Sequence, residues 1–209
     1  MRGKQTLTLG MGCFWSPEAL FGALPGVDGT SVGYAGGTTN QPTYRDMGDH
    51  SETVEVEFDT DLISIDTLLE TFWSNHNPVN INGYKGRQYQ SLLLYRDERQ
   101  AEAFNRVKER MEEEEGHRLD TEIAPCAAFY PAEARHQKYY LKRYPDALEK
   151  LGGLYGSEEA LLRSTLAARL NGVAKGYANL APVLKEIQGW PIGPDEREAM
   201  IERLRRIRW

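Results

Sequence analysis

The chain opens with alternating polar and apolar residues, Gln5 to Leu9, a pattern that predicts a β-strand ended by Gly10-Met11-Gly12. Ser16-Pro17-Glu18 follows at once in the form of a helix start: an N-cap hydroxyl, a proline at the first helical position and an acid in the first turn. Ala19, Leu20, Ala23 and Leu24 supply that helix with an apolar stripe. Thr30 to Tyr34 predicts a second strand. Thr53 to Phe58 predicts a third, with Val54, Val56 and Phe58 on one face and Glu55 and Glu57 on the other. Between these strands, Ala35 to Tyr44 is rich in turn formers and long enough to read as a functional loop.

Ile65, Leu68, Leu69, Phe72 and Trp73 recur at helical spacing and read as core, with Pro78 beyond the helix end. Tyr89 to Tyr95 predicts a buried strand, Glu98 to Glu115 a charged surface helix, Thr121 to Ala124 a short strand, and Pro131 to Leu141 a further helix opened by proline. From Ser157 the pattern is helical throughout: Glu158 to Leu170, a glycine-containing break at Gly172 to Gly176, Pro182 to Ile187, Gly189 to Pro194, and a basic amphipathic end from Arg197 to Arg208. The chain therefore divides into a mixed part, residues 1–150, and a C-terminal helical extension, residues 151–209, too small to bury much core alone.

Composition narrows the function classes. Forty per cent hydrophobic and 27% charged residues describe a soluble globular protein, and a net charge of -6 gives no broad attraction to nucleic acid or anionic membrane. No apolar run approaches the roughly 20 residues that span a bilayer, and the first residues lack the apolar core of a signal peptide, so a cytoplasmic location is expected. The two cysteines, Cys13 and Cys126, have neither Cys-x-x-Cys nor Cys/His spacing, which indicates neither a disulfide scaffold nor a zinc site.

Cys13 sits at a strand-to-helix junction, where backbone N–H groups favour a thiolate and lower a thiol's pKa. A small buried hydrophobe at a tight turn is the other reading of that position. Phe14 and Trp15 directly follow, two large aromatics suited to walling a methyl-sized pocket or, equally, to core packing. Counting back along the third strand puts Glu52 on the apolar side, where burial would raise its pKa and make it a proton donor; a strand starting one residue later would turn it to solvent. His50 and His76 read as surface or capping histidines.

At Gly12-Cys13-Phe14-Trp15 a signature begins that continues in order through Val32-Gly33-Tyr34-Ala35-Gly36-Gly37, Pro42-Thr43-Tyr44, Glu52-Thr53-Val54-Glu55-Val56-Glu57-Phe58-Asp59, Gln88-Tyr89, Thr121-Glu122-Ile123-Ala124-Pro125, Phe129-Tyr130-Pro131-Ala132-Glu133 and His136-Gln137. The chain resembles the peptide methionine sulfoxide reductases of the A type. The resemblance implies an α+β fold, a two-layer sandwich with a mixed, mainly antiparallel sheet, followed here by the C-terminal helical extension. It implies that Cys13 attacks the sulfur of (S)-methionine sulfoxide, peptide-bound or free. Phe14 and Trp15 would receive the methyl group, Glu52, Tyr34 and Tyr89 would surround the oxygen, and His136 would stand near the substrate. No metal or organic cofactor is implied. Cys13 would become a sulfenic acid, to be reduced by an external thiol such as thioredoxin or a small thiol.

Three departures from the family pattern stand out. Many members carry resolving cysteines in a glycine-rich C-terminal tail, whereas this chain has none after Cys126, which itself reads as a structural thiol at a strand end. The aspartate usual before the Gly-x-Gln-Tyr segment is missing, with Tyr84 nearest its place, and Ser16 replaces the usual glycine after Gly-Cys-Phe-Trp. Two rival readings remain: a non-catalytic module that binds methionine or its sulfoxide, and a thiol redox sensor acting through Cys13.

Overall fold

The computed structural model describes residues 3–81, 83 and 85–209; Tyr84 lies outside them. The first strand is longer than its clearest alternation. β1 runs Lys4–Met11 and buries Leu7, Leu9 and Met11 in the main core. β2 (Val27–Ala35) and β3 (Ser51–Asp59) pair antiparallel, and β3 also pairs antiparallel with β1. On the other side of β1 lies β4 (Ser91–Tyr95), antiparallel to it, and β5 (Glu122–Pro125) joins β4 in parallel. β6 (Phe129–Pro131) is antiparallel to β2 and completes a six-stranded sheet of order β5-β4-β1-β3-β2-β6. This is the mixed, mainly antiparallel sheet expected.

The connection between the two edge strands forces that sheet to curl. β5 ends at Pro125 and β6 starts at Phe129, so the chain between them reaches roughly 14 Å at full extension. In a flat sheet the first and sixth strands stand about 24 Å apart. Curling brings Ala35 of β2, Leu92 and Leu94 of β4, Cys126 of the connection and Phe129 of β6 into one small apolar cluster on the inner face. The outer face is covered by α1 (Trp15–Gly22), α2 (Ile65–Ser74) and α3 (Glu98–Glu115), whose Phe21, Leu68, Phe72, Phe104 and Val107 pack on Leu9, Val54, Val56 and Phe58.

Two predicted elements differ. Pro131 does not open a helix: it is the last residue of β6, an edge position where a missing N–H costs no ladder bond. The segment after it forms only the short 3-10 turns Ala134–His136 and Leu141–Arg143, interrupted by Lys138 in the left-handed region at φ 50°. The helix expected from Glu158 to Leu170 is divided at Ser164, whose backbone is extended and whose hydroxyl accepts from the Ala167 N–H. It ends α5 (Glu158–Arg163) and caps α6 (Thr165–Lys175), which runs through Gly172 and stops at left-handed Gly176.

With α4 (Pro145–Leu151), α7 (Leu180–Ile187) and α8 (Pro194–Arg205), these helices enclose a second apolar cluster around Leu151, Leu166, Leu170, Ile187 and Leu204. α6 lies directly on α1. A Cβ on Gly22 would fall 2.7 Å from the Ala168 carbonyl oxygen, and one on Gly172 would fall 2.6 Å from the Ala23 Cβ, so both glycines are there for close approach. Arg169, only 2% exposed, donates to the Gly22 carbonyl at 2.8 Å and to both carboxylate oxygens of Glu186 at 2.8 Å. Among the described residues no helix is long and apolar enough to cross a membrane. Gly172→Val should lower the urea midpoint by a stability loss of about 1–3 kcal/mol, the cost of overpacking a tight contact; an unchanged midpoint would show that α1 and α6 are not held at this separation.

Candidate active site

The turn between β1 and α1 is set by Gly12, whose φ of 91° lets the chain leave the strand sharply and presents Cys13 half-buried at the surface. α1 starts at Trp15, earlier than the Ser16-Pro17 pattern predicts, and Phe14 stands at its N-cap without any capping side chain of its own. The cap comes from across the sheet. Glu52, 1% exposed, accepts the Phe14 N–H on Oε2 at 3.1 Å, putting a carboxyl where the helix start favours negative charge. Ser16 is thereby released from capping and shares a 2.8 Å hydrogen bond with the Tyr140 hydroxyl.

Glu52 does continue the helix-covered face of Val54, Val56 and Phe58, and its other oxygen accepts from the Gln88 side-chain amide at 2.8 Å. Burial raises its pKa, against the lowering effect of bonds from Gln88, the Phe14 N–H and the Cys13 thiol. The Cys13 thiol is pushed up to about 11, first by burial and further by the adjacent Glu52, while a backbone bond from Trp15 lowers it. A helix start therefore does not make Cys13 a resting thiolate here. Desolvation and a neighbouring carboxyl outweigh the backbone N–H, and the thiol keeps its proton within reach of Glu52.

Register in the sheet places Tyr34 directly opposite Glu52. Tyr34 is 1% exposed, and its hydroxyl donates to Glu133 at 2.7 Å. Burial and then that bond hold its pKa well above the usual phenol range. Tyr89 belongs to the short 3-10 turn Arg87–Tyr89, next to the Gln88 that holds Glu52. Phe14 is buried against Tyr34 and His136, with ring centroids 6.1 and 5.5 Å away. Trp15 stacks on Tyr139 at 3.8 Å with an interplanar angle of 4°, and the His136 ring lies 5.9 Å from it. His136 is 5% exposed, and burial lowers its pKa against the opposing effect of Glu133. Cys13, Phe14, Trp15, Glu52, Tyr34 and His136 thus lie around one turn and its supporting strands, and Tyr89 follows Gln88 in the chain beside them.

The supports of the site carry no mark of their role in the sequence. Gln88 holds Glu52 and Glu133 holds Tyr34. Glu18 and Lys138, 0% and 1% exposed, form a buried ion pair at 2.7 Å, and the Lys138 N–H also bonds Glu18 at 2.8 Å. This pair fastens the segment carrying His136 and Tyr139 to the first turn of α1; only the acid in that turn was visible beforehand. His50 and His76 are more enclosed than surface histidines. The His50 ring accepts from the Gly37 N–H and contacts the Thr39 carbonyl, tying down the 36–44 loop, and His76 caps α2 at the Phe72 carbonyl while reaching Ser91. That loop delivers Tyr44 to within 4.7 Å of the His136 ring.

Cys126 follows β5, level with Tyr95 at the far end of β4, whereas Cys13 follows Met11, which pairs with Ser91 at the near end. Its sulfur lies on the inner face, 4.0 Å from the Thr8 hydroxyl. The two thiols are free and separated by the length of β4, about 13 Å, well beyond the Cα separation of a disulfide. Among the described residues no His, Cys, Asp and Glu side chains group as a metal site.

A protonated thiol beside a buried carboxyl, walled by aromatic rings on a curled α+β sheet, fits the site of an oxidoreductase. The profile of peptide methionine sulfoxide reductases matches residues 5–158, and the chain belongs to that family, an oxidoreductase acting on methionine sulfoxide. It is 42% identical over 196 residues to a peptide methionine sulfoxide reductase of Drosophila melanogaster, covering 93% of this chain and 78% of that protein. It is 40% identical over 150 residues to the MsrA of Methanococcus maripaludis, covering 68% of this chain and 96% of the archaeal protein. The insect alignment thus extends into the C-terminal helices, and the archaeal alignment covers a domain-sized part. Methionine sulfoxide reductase A of Corynebacterium diphtheriae superposes with a TM-score of 0.59 at 33% identity, covering 69% of this chain and 77% of that one. The reduced form of Mxr1 from Saccharomyces cerevisiae gives a TM-score of 0.61 at 27% identity, over 68% and 86%.

Because the Glu52 carboxyl raises the Cys13 pKa, Glu52→Gln should move the pH midpoint of Cys13 alkylation down from about 11. Iodoacetamide rates followed against pH in a Cys126→Ser background measure this. A midpoint that stays or rises would show that the two groups are not coupled.

Proposed function

We propose that the protein reduces (S)-methionine sulfoxide with Cys13 as nucleophile and Glu52 as proton donor. The observation that carries this reading is the buried Glu52 carboxyl, bonded to the Phe14 N–H and to Gln88 and near enough to Cys13 to raise the thiol's pKa. In this scheme Phe14, Trp15 and His136 enclose the methyl group, and Tyr34 and Tyr89 frame the oxygen with Glu52. Cys13 Sγ forms a bond to the substrate sulfur as the sulfoxide oxygen takes a proton from the Glu52–Cys13 pair. The substrate's sulfur–oxygen bond then breaks, the oxygen passes as hydroxide to Cys13 Sγ, and the sulfur–sulfur bond breaks with its electron pair left on methionine. Cys13 is left as sulfenic acid, oxidised by the two electrons that methionine has gained. Neutralising the oxygen as it passes to Cys13 is the contribution of Glu52, whose burial raises its pKa toward that of a proton donor.

Regeneration falls to an external dithiol or to two small thiols, which leave as a disulfide while the oxygen leaves as water. The separation of Cys13 from Cys126 supports this single-cysteine cycle, and it suits a reducing compartment such as the cytoplasm. In a turnover assay with excess dithiol, the S epimer should be consumed and the R epimer left. Cys13→Ser should abolish the reaction, and Glu52→Gln should slow kcat by roughly 10²- to 10⁴-fold, the range for lost general-acid catalysis. Full activity in Cys13→Ser would overturn the scheme, and tight sulfoxide binding without any turnover would favour a binding module.

A further inference from the structure

We propose that the C-terminal helices complete the substrate cleft, with Tyr177 acting as a specificity-determining residue that packs on the peptide flanking the methionine sulfoxide. This rests on Cys13 being the attacking group. A cavity of about 430 Å³ is lined at once by Cys13, Trp15, Ser16, Tyr140 and Tyr177. Tyr177 is placed there by the end of α6: Gly176 takes the left-handed conformation at φ 88°, and the Tyr177 N–H closes back on the Gly172 carbonyl at 2.9 Å. A large aromatic beside a cleft and 45% exposed has contact area still to cover.

A chain of contacts ties this residue to the Cys13 turn. The Lys175 ammonium sits 4.9 Å from the centre of the Tyr140 ring and 5.8 Å from that of Tyr177, and the Tyr140 hydroxyl bonds Ser16 at 2.8 Å. Ser16 of α1 and Tyr177 of the C-terminal extension therefore meet through Tyr140 in one wall of the cleft.

The chemistry of that wall selects a particular form of substrate. Among the described residues lining the cleft there is no Asp, Glu, Lys or Arg. Free methionine sulfoxide carries an ammonium and a carboxylate; Lys175 beside the two tyrosines could face the carboxylate, but the ammonium would lose water with no carboxylate among the described lining residues. A sulfoxide inside a peptide presents neutral amides instead, to which the lining Asn75, Asn77 and Asn80 offer carboxamides, and an apolar neighbouring side chain suits the tyrosine faces.

The test is steady-state kinetics of the full chain, with dithiol as reductant, on a capped peptide with leucine on either side of the sulfoxide and on dimethyl sulfoxide. Tyr177→Ala should raise the peptide KM by about three- to tenfold, with kcat and the dimethyl sulfoxide parameters within about twofold of the unmodified protein. Tyr177→Phe should restore the peptide KM, since the ring face and not the hydroxyl does the packing. An unchanged peptide KM in Tyr177→Ala, or an equal loss on both substrates, would overturn the proposal. Dimethyl sulfoxide turnover and its loss in Cys13→Ser report on the nucleophile itself, so failure of that reading is separable from failure of this one.

Discussion

A carboxyl group buried at the end of a central strand has to be bonded on both oxygens, and the way Glu52 meets that demand organises the site. One oxygen takes the N–H of Phe14, the residue at the start of α1, and the other takes the Gln88 amide. The first bond joins β3 to the turn that carries Cys13; the second joins β3 to the turn that carries Tyr89. Three separated segments are thereby brought to one point by a group whose burial also raises its own pKa and that of the thiol beside it. Removing the carboxyl would loosen the cap of α1 and change the protonation of Cys13 together.

A second buried charge arrangement holds the opposite wall. Glu18 and Lys138 lie out of water, where an ion pair persists only if its remaining bonds are satisfied, and the Lys138 N–H and the Thr30 carbonyl complete the set. The pair fixes α1 against the irregular segment that follows β6. That is where His136 and Tyr139 arise to pack on Phe14 and Trp15. α6 then presses on α1 from outside through Gly22 and Gly172, so the C-terminal helices bear on the turn of Cys13 and do not hang free of it.

What was legible in the sequence follows the range of the interactions. Period-two alternation located β1, β2 and β3 and turned Glu52 inward, because a strand's faces are set by its own residues. α3 was legible to its ends, Glu98 and Glu115, through charge and helical spacing. Pro131 misled because proline suits both a helix start and an edge strand, and only the pairing of β6 with β2 decides between them. Ser16 read as a cap because the true cap, Glu52, comes from another strand. The Cys13 pKa was misjudged for a related reason: helix position is a local property, but burial and the nearby carboxyl come from the assembled fold. Glu18 and Lys138, 120 residues apart, leave no pattern that either segment shows alone.

In the proposed cycle Cys13 carries the oxidation alone, between a proton-donating Glu52 and a reductant from outside the chain. The decisive experiment is a single turnover with excess (S)-methionine sulfoxide and no reductant, read by mass spectrometry after trapping with dimedone. One methionine should be released per chain, with the trapped sulfenic acid on Cys13 and Cys126 unmodified. A disulfide between Cys13 and Cys126, or trapping at Cys126 with Cys13 intact, would contradict that cycle.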